Sequence, residues 1–291
     1  MFTRIGIFGK YDGIACWDTI NRLLQHLLSR DKTVLLDSAS CADFPHQRYG
    51  VEVIDRLELV KHIDIAIVVG GDGTFLDVAR SVVDHDIPIL GINLGRLGFL
   101  TDISPNEMLN TLDEVMVGQC EYEQRNLIHV QIRKDGELEF DQLALNDVVI
   151  HKTDSPRMIE FETEVDGRFL NTQRSDGMII ATPTGSTAYA LSAGGPILDP
   201  RLDVLSLVSV NPHTMSTRPY VIPGSSVVRI YPHKNCNGMA HIICDGQLTH
   251  HIGQGHETTI SRHKKFIQMI HPKGHDHFEL LRAKLRWGDK L

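Results

Sequence analysis

The chain has 291 residues, of which 42% are hydrophobic and 23% charged, and 37 acidic against 29 basic residues give a formal net charge of −8. That length builds one large or two medium domains with cores that need no disulfides. The acidic balance excludes a general nucleic-acid binder, which needs a basic surface over the phosphates, but not a nucleotide site, for which a local patch of amides and cations suffices.

Ile5 to Phe8 reads as a buried strand, and Leu23, Leu24, Leu27 and Leu28 then recur at helical spacing. Val34 to Leu36 is a second strand. Ile65 to Val69 is a third, β-branched and continuous, as strands buried on both faces tend to be. Leu76, Ala79 and Val83 mark the next helix, and Ile87 to Ile92 a fourth strand. Ser104-Pro105-Asn106-Glu107 has the form of a capping box opening a helix, with Leu112, Val115 and Met116 on its apolar face. These alternations predict an α/β domain with a Rossmann-like parallel sheet over residues 1–120.

From residue 121 the rhythm changes to period two. Ile128, Val130 and Ile132 alternate with polar residues, as do Phe161, Thr163 and Val165, and Asp135-Gly136, Asp166-Gly167 and Asp245-Gly246 are hairpin signals. Residues 121–291 therefore read as a mostly antiparallel β domain, with a C-terminal tail that packs back on the first domain. Cys16, Cys41, Cys120, Cys236 and Cys244 are scattered with no Cys-x-x-Cys pair, which suits a reducing compartment. The N-terminus has no signal-peptide pattern. The most apolar run, Ile63 to Val69, is short for a bilayer span and contains Asp64. A cytoplasmic location is expected.

Gly70-Gly71-Asp72-Gly73-Thr74 falls where a buried strand gives way to a helix. Ligands of open α/β sheets bind beyond the carboxyl ends of the strands. Three glycines let the backbone take positive φ and approach a ligand closely, so that successive amides cradle phosphate oxygens. Asp72 would be repelled by polyphosphate unless it met a cation or accepted a hydroxyl proton. Neither Gly-x-x-x-x-Gly-Lys-Ser/Thr nor a post-strand Gly-x-Gly-x-x-Gly is present. A tight turn with a capping aspartate is the structural alternative.

The second dense string is Thr182 to Pro196, after the strand Met178 to Ala181, and its hydroxyls and glycines suit contact with ribose or phosphate. Tyr189 could stack on a base there, while Ser186 and Thr187 could equally cap a helix. Asn146-Asp147 could hold a ribose diol or form an Asx turn. Arg157 could meet phosphate or solvent, Arg174-Ser175-Asp176-Gly177 could pair with phosphate through Arg174 or be a plain hairpin turn, and Phe99 could meet a ligand or a packing seam. Nine histidines crowd the C-terminal part without His-Glu-x-x-His or Cys/His spacing, so they read as a titrating surface and no metal site is expected.

Taken together, Gly70 to Thr74, Asn146-Asp147, Arg174-Ser175-Asp176-Gly177 and Thr182 to Pro196, in that order, resemble the NAD kinase (ATP-NAD kinase) family. The glycine loop alone is shared with diacylglycerol-type lipid kinases and phosphofructokinases, whereas the Thr182–Pro196 string is specific to NAD kinases. The resemblance implies a site in the cleft between the domains, and a homodimer or homotetramer in which a neighbour completes it. It implies phosphoryl transfer from ATP, carried with Mg²⁺ or another divalent cation, to the 2′-hydroxyl of the adenosine ribose of NAD. By motif, Asp72 would be the catalytic base, and Gly70, Gly71 and Thr74 the phosphate loop. Substrate contacts would fall to Gly73, Phe99, Asn146, Asp147, Arg157, Arg174, Asp176, Thr187, Ala188, Tyr189, Ala190, Leu191, Ser192 and Gln247. Asp147 stands where many members carry Glu, which keeps the carboxylate and shortens its reach. The rival readings are a lipid or sugar-phosphate kinase of the same superfamily and a non-catalytic NAD(P) sensor.

Overall fold

The computed structural model describes residues 2–10, 14–41, 44–95, 97–153, 157–236 and 240–287. They divide into two compact units, Met1–Gln124 with Ile267–Leu291, and Arg125–Phe266.

In the first unit the strands are β1 (Arg4–Gly9), β2 (Thr33–Asp37), β3 (Glu52–Ile54), β4 (Ile65–Gly70) and β5 (Ile89–Asn93). They pair in parallel in the order β3-β2-β1-β4-β5. Every residue of β4 and of β5 is buried, which accounts for their unbroken apolar sequences. The helices are α1 (Ile14–Leu28), α2 (Ser38–Cys41), α3 (Arg56–Leu59), α4 (Asp72–Val82) and α5 (Met108–Met116). Leu23, Leu24 and Leu27 of α1 and Leu112 and Val115 of α5 bury against Ile5, Ile7, Ile65 and Ile67 in one core. The predicted capping box forms as a side-chain contact, Ser104 Oγ donating to Glu107 Oε2 at 2.8 Å. It closes a turn rather than the helix itself, because α5 begins only at Met108.

The second unit is antiparallel. It begins with β6 (Cys120–Lys134), which starts in the first unit, and β7 (Glu137–Ala144). There follow β8 (Asp147–Lys152), β9 (Ile159–Val165), β10 (Arg168–Ser175), β11 (Gly177–Ala181), α6 (Tyr189–Ser192), β12 (Val204–Val210), β13 (Tyr220–Pro223), β14 (Val228–Pro232), β15 (Ala240–Cys244) and β16 (Leu248–Ile252). One sheet runs β13-β12-β11-β8-β15-β16. All three Asp-Gly pairs form the hairpin turns predicted. Asp135 and Gly136 have φ of 49° and 93°, Asp166 and Gly167 53° and 72°, Asp245 and Gly246 52° and 67°. The first two are two-residue turns, Lys134 pairing with Glu137 and Val165 with Arg168, whose twist matches their strands, while the third Asp-Gly opens a three-residue loop between the paired Cys244 and Leu248. Inward residues Ile128, Val130, Ile150, Phe161, Ile180, Val228 and Ile242 make a second core. Strand β17 (His256–Pro272) begins in this unit and ends in the first, followed there by α7 (His277–Leu285). No helix among the described residues is long and apolar enough to cross a membrane.

Candidate active site

Strand β4 ends at Gly70, Gly71 is extended at φ −117°, and Asp72 is the first residue of α4. A carboxylate in the first helical turn complements the helix dipole. The glycines do not serve the positive φ expected of them, since Gly70, Gly71 and Gly73 are absent from the left-handed residues. They serve close approach instead. A Cβ on Gly70 would lie 2.6 Å from Thr74 Oγ1, whereas one on Gly71 would meet nothing within 4 Å, so that side of the loop is open.

The Asp72 side chain is gripped by the loop after β5. Phe99 N–H donates to Oδ2 at 2.9 Å, while Leu100 N–H, Thr101 N–H and Thr101 Oγ1 donate to Oδ1 at 3.0, 3.2 and 3.1 Å. Asn93 Nδ2 in turn donates to Thr101 Oγ1 at 2.9 Å. Oδ1 is thus saturated, while Oδ2 accepts one bond from the described residues and keeps a lone pair for a ligand. Gly98 permits this grip, for a Cβ there would sit 2.1 Å from Asp72 Oδ1. The same loop is tied to the end of the chain. Lys284 Nζ donates to Leu97 O at 2.5 Å and lies 5.4 Å from the Phe99 ring centre. Asp102 Oδ2 lies 2.9 Å from Nδ1 of both His271 and His275. Burial opposes ionisation of Asp102, but hydrogen bonds from the two imidazoles outweigh it and hold the carboxyl well below its usual range. Burial likewise lowers His271, and its bonds to Asp102 and Glu123 overcome that and raise it to about 9. Phe99 thus offers its amide to Asp72 and its ring to Lys284, and Arg96 lies outside the described residues.

The second unit builds a similar grip. Asp245, in the turn between β15 and β16, accepts from Leu145 N–H at 3.0 Å, Asn146 N–H at 2.8 Å and Asp147 N–H at 3.3 Å. This pins the start of β8. Thr182 Oγ1 donates to Leu145 O at 2.6 Å, and Gly185 lies so close that a Cβ would be 2.0 Å from Asn146 O. The start of the Thr182–Pro196 string is therefore folded onto Asn146 by close backbone contact, which explains its small residues. Asn146, Asp147, Ala188, Tyr189, Ile243 and Asp245 border a cavity of about 380 Å³. The Asn146 side-chain amide makes no hydrogen bond among the described residues, and Tyr189 is exposed. Asp147 is 4% exposed, and burial, with the charge of Asp245 added, raises its carboxyl to about 7.

The remaining expected contacts are distributed differently. Thr187 Oγ1 caps Thr184 O at 3.2 Å, Ala190 is fully buried with Val149, Ile179 and Val208, Leu191 is half-buried and Ser192 exposed. Gln247 is exposed just after the Asp245-Gly246 turn. Arg174 lies on another cavity of about 450 Å³, with Gln173, Arg218 and Tyr220. Asp176 pairs with Lys152 Nζ at 2.8 Å and accepts from Asn211 Nδ2 at 3.0 Å, and the lysine bond lowers its carboxyl. Arg157 is exposed, beside Pro156, which lies outside the described residues. Sequence reasoning did not single out Gly98, Thr101 or Asp245, which the structure places against Asp72 or the start of β8. Gly98 and Asp245 fall in stretches, Gly95 to Phe99 and Asp245 to Gln247, that resemble landmarks of the NAD kinase family, but the sequence reading gave neither residue a role of its own.

Two family models cover most of the sequence, the ATP-NAD kinase N-terminal domain over residues 6–120 and the ATP-NAD kinase C-terminal domain over residues 145–271. The chain belongs to the ATP-NAD kinase family. It is 65% identical to the NAD kinase of Hydrogenovibrio crunogenus over the whole of both chains, and 43% identical to that of Pseudomonas savastanoi over 100% of this chain and 97% of the relative. Among solved structures, a yeast NADH kinase complexed with NADH superposes with a TM-score of 0.91 over 99% of this chain and 89% of the other, and at 24% identity it speaks for the fold alone. An Archaeoglobus fulgidus NAD kinase in complex with ATP gives 0.73 at 28% identity, over 98% and 99%. The family's α/β and antiparallel β domains are the ones seen here.

Proposed function

We propose that the protein is an NAD kinase that moves the γ-phosphoryl group of ATP to the 2′-hydroxyl of the adenosine ribose of NAD, giving NADP. The observation that carries the reaction type is the held carboxylate of Asp72, fixed by three consecutive amides with one oxygen still able to accept a proton. Phosphoryl transfer is mostly positioning and charge stabilisation, and family membership selects NAD as the acceptor. Asp72 orients the 2′-hydroxyl and takes its proton as the O–P bond forms and ADP leaves. Gly70, Gly71, Gly73 and Thr74 receive the phosphates on backbone amides and the N-terminal end of α4. Asn146, through its side-chain amide, and Asp147 hold ribose hydroxyls, and Tyr189 and Ala188 line the same cavity for a ring.

The divalent cation comes with the nucleotide. Mg²⁺ needs few protein ligands when phosphates supply the rest, and Asp72, the one carboxylate of the loop, offers a single lone pair. That fits a cation carried on ATP rather than a protein cage. A homo-oligomer and a cytoplasmic location remain part of this reading, resting on the family resemblance.

The test is direct. Purified protein with ATP, Mg²⁺ and NAD should form NADP, read through an NADP-specific dehydrogenase, and should leave fructose 6-phosphate and diacylglycerol unphosphorylated. NAD binding with no ATP consumption would favour a sensor, and phosphate appearing on the sugar or lipid would favour the rival kinases.

A further inference from the structure

Nine C-terminal histidines have no sequence spacing that suggests a ligand set, yet the fold gathers two of them with one carboxylate. Glu139 in β7, His250 in β16 and His256 at the start of β17 bring one ligand atom each to a common point, all within 4.8 Å of one another. Glu139 Oε2 lies 3.2 Å from Nε2 of His250 and 3.2 Å from Nε2 of His256. Three ligands bound to one Zn²⁺ at about 2.0–2.2 Å in a tetrahedral arrangement stand roughly 3.3–3.5 Å apart, so these two edges are near metal-binding lengths already.

The surroundings are those of a built site. His256 is 10% exposed on its side chain, and its other ring nitrogen, Nδ1, lies 3.0 Å from Gly253 O and 3.1 Å from Gly253 N, which fixes the ring plane. Backbone anchoring of the far nitrogen is the usual support of a ligating histidine. The short turn that carries Gly253 returns the chain from β16 to β17, and Gly255 there is left-handed at φ 85°. The His250 ring packs 5.3 Å from the Phe140 ring. Glu139 is 36% exposed on its side chain, leaving an outer position open to water or a further ligand. The field of Lys134 also reaches Glu139 and moderates its attraction for a cation.

We propose that Glu139, His250 and His256 form a binding site for a late transition-metal dication of the Zn²⁺ class, three protein ligands with an outer position left open. Two imidazoles and a carboxylate favour Zn²⁺, Co²⁺ or Ni²⁺ over Mg²⁺, which takes oxygen ligands. The bound ion clips β7 to the β16–β17 hairpin. It has no part in phosphoryl transfer, and its ligands are none of the residues assigned to the reaction.

The experiment uses the full-length protein, stripped with chelator and titrated with Co²⁺. We expect one equivalent bound, with the visible ligand-field bands of a four- or five-coordinate site, and displacement by Zn²⁺ but not by excess Mg²⁺. His250→Ala and His256→Ala should lose the bands, and Glu139→Gln should weaken Co²⁺ at least tenfold. Zn²⁺ should raise the Tm of the chelator-stripped wild type by a few degrees and leave that of His256→Ala unchanged. All three variants should keep wild-type ATP-dependent turnover, which also shows that they fold. Failure of wild type to bind Co²⁺ below millimolar concentration overturns the proposal. So does retention of the bands in both histidine variants, which would place the ion elsewhere. A variant without turnover is tested by circular dichroism, and if it is folded the clip's separateness from the reaction is wrong.

Discussion

Asp72 and Asp147 are both held by the fold, in environments that differ in how they treat a proton. Asp72 is met by four donors, which fix its oxygens without covering the second lone pair of Oδ2. Asp72→Asn preserves size and most of the grip but cannot take a proton. Turnover should fall by about 10²–10⁴-fold with NAD affinity nearly unchanged, measured by initial rates and by calorimetry. Full turnover in that variant would remove Asp72 from the chemistry. Asp147 is instead buried beside Asp245 and raised to about 7. Between the ordinary carboxyl value near 4 and about 7 the native state holds a proton that the unfolded chain has released, so its contribution to stability falls as pH rises through that window. Ribose hydroxyls donating to Asp147 would favour its ionised form. NAD affinity should therefore weaken as pH drops below 7, by up to about tenfold per unit, with proton release on binding visible as a buffer-dependent heat. Asp147→Asn should abolish that pH dependence and stabilise the apo protein at pH 8 by about 1–3 kcal/mol.

At the scale of elements, the loop from Asn93 to Ile103 is the part on which the first unit's site depends. It is tethered at one end by Asn93 and Thr101 and at the other by the C-terminal segment through Asp102 and Lys284. Gly98→Ala drives a methyl into Asp72 Oδ1. Because a displacement of about 1 Å at a reacting group can cost 10²-fold, kcat should drop by that order while Tm moves only a few degrees. A comparable loss in Tm, with kcat intact, would show the grip to be merely structural. The Asp102–His271 pair makes a separate prediction. His271 rises from an ordinary value near 6.5 to about 9 in the fold, so the stability it contributes is fully present below 6.5 and is lost as pH rises through 9. His271→Asn should cost about 3 kcal/mol at pH 6, and the gap to wild type should narrow above pH 9, measured by denaturant midpoints across pH.

For the whole molecule, both units rest on apolar cores without covalent staples. None of the five cysteines forms a disulfide, and Cys16, Cys41, Cys236 and Cys244 are buried while Cys120 is half-buried. Burial pushes the Cys41 thiol up to about 12, leaving almost no thiolate at neutral pH. A thiol reagent should accordingly modify one residue, Cys120, in the native protein and all five after denaturation, and Tm should be the same with and without reductant. Fast labelling of a second thiol in the native state would contradict the burial seen here.

Much of this was legible in the chain. Local rules decide strands and turns, so the buried run Ile65 to Val69 and the three Asp-Gly hairpins could be read directly, because burial on both faces demands continuous apolar residues and a tight hairpin turn demands positive φ. The loop Gly70 to Thr74, Asn146-Asp147 and the Thr182 string stand out as candidate contacts for the same reason, each being a dense local pattern. What tertiary structure alone decided was who holds those residues. Asp72 is positioned by amides 27 to 29 residues away, burial and then the nearby charge of Asp245 raise the Asp147 carboxyl, and Glu139 meets His250 and His256 across more than a hundred positions. Contacts of that span leave no periodicity in the sequence. The residue types of a site are written locally, but a carboxylate's partners, and hence its proton, depend on which distant backbone the fold brings within three ångströms of it.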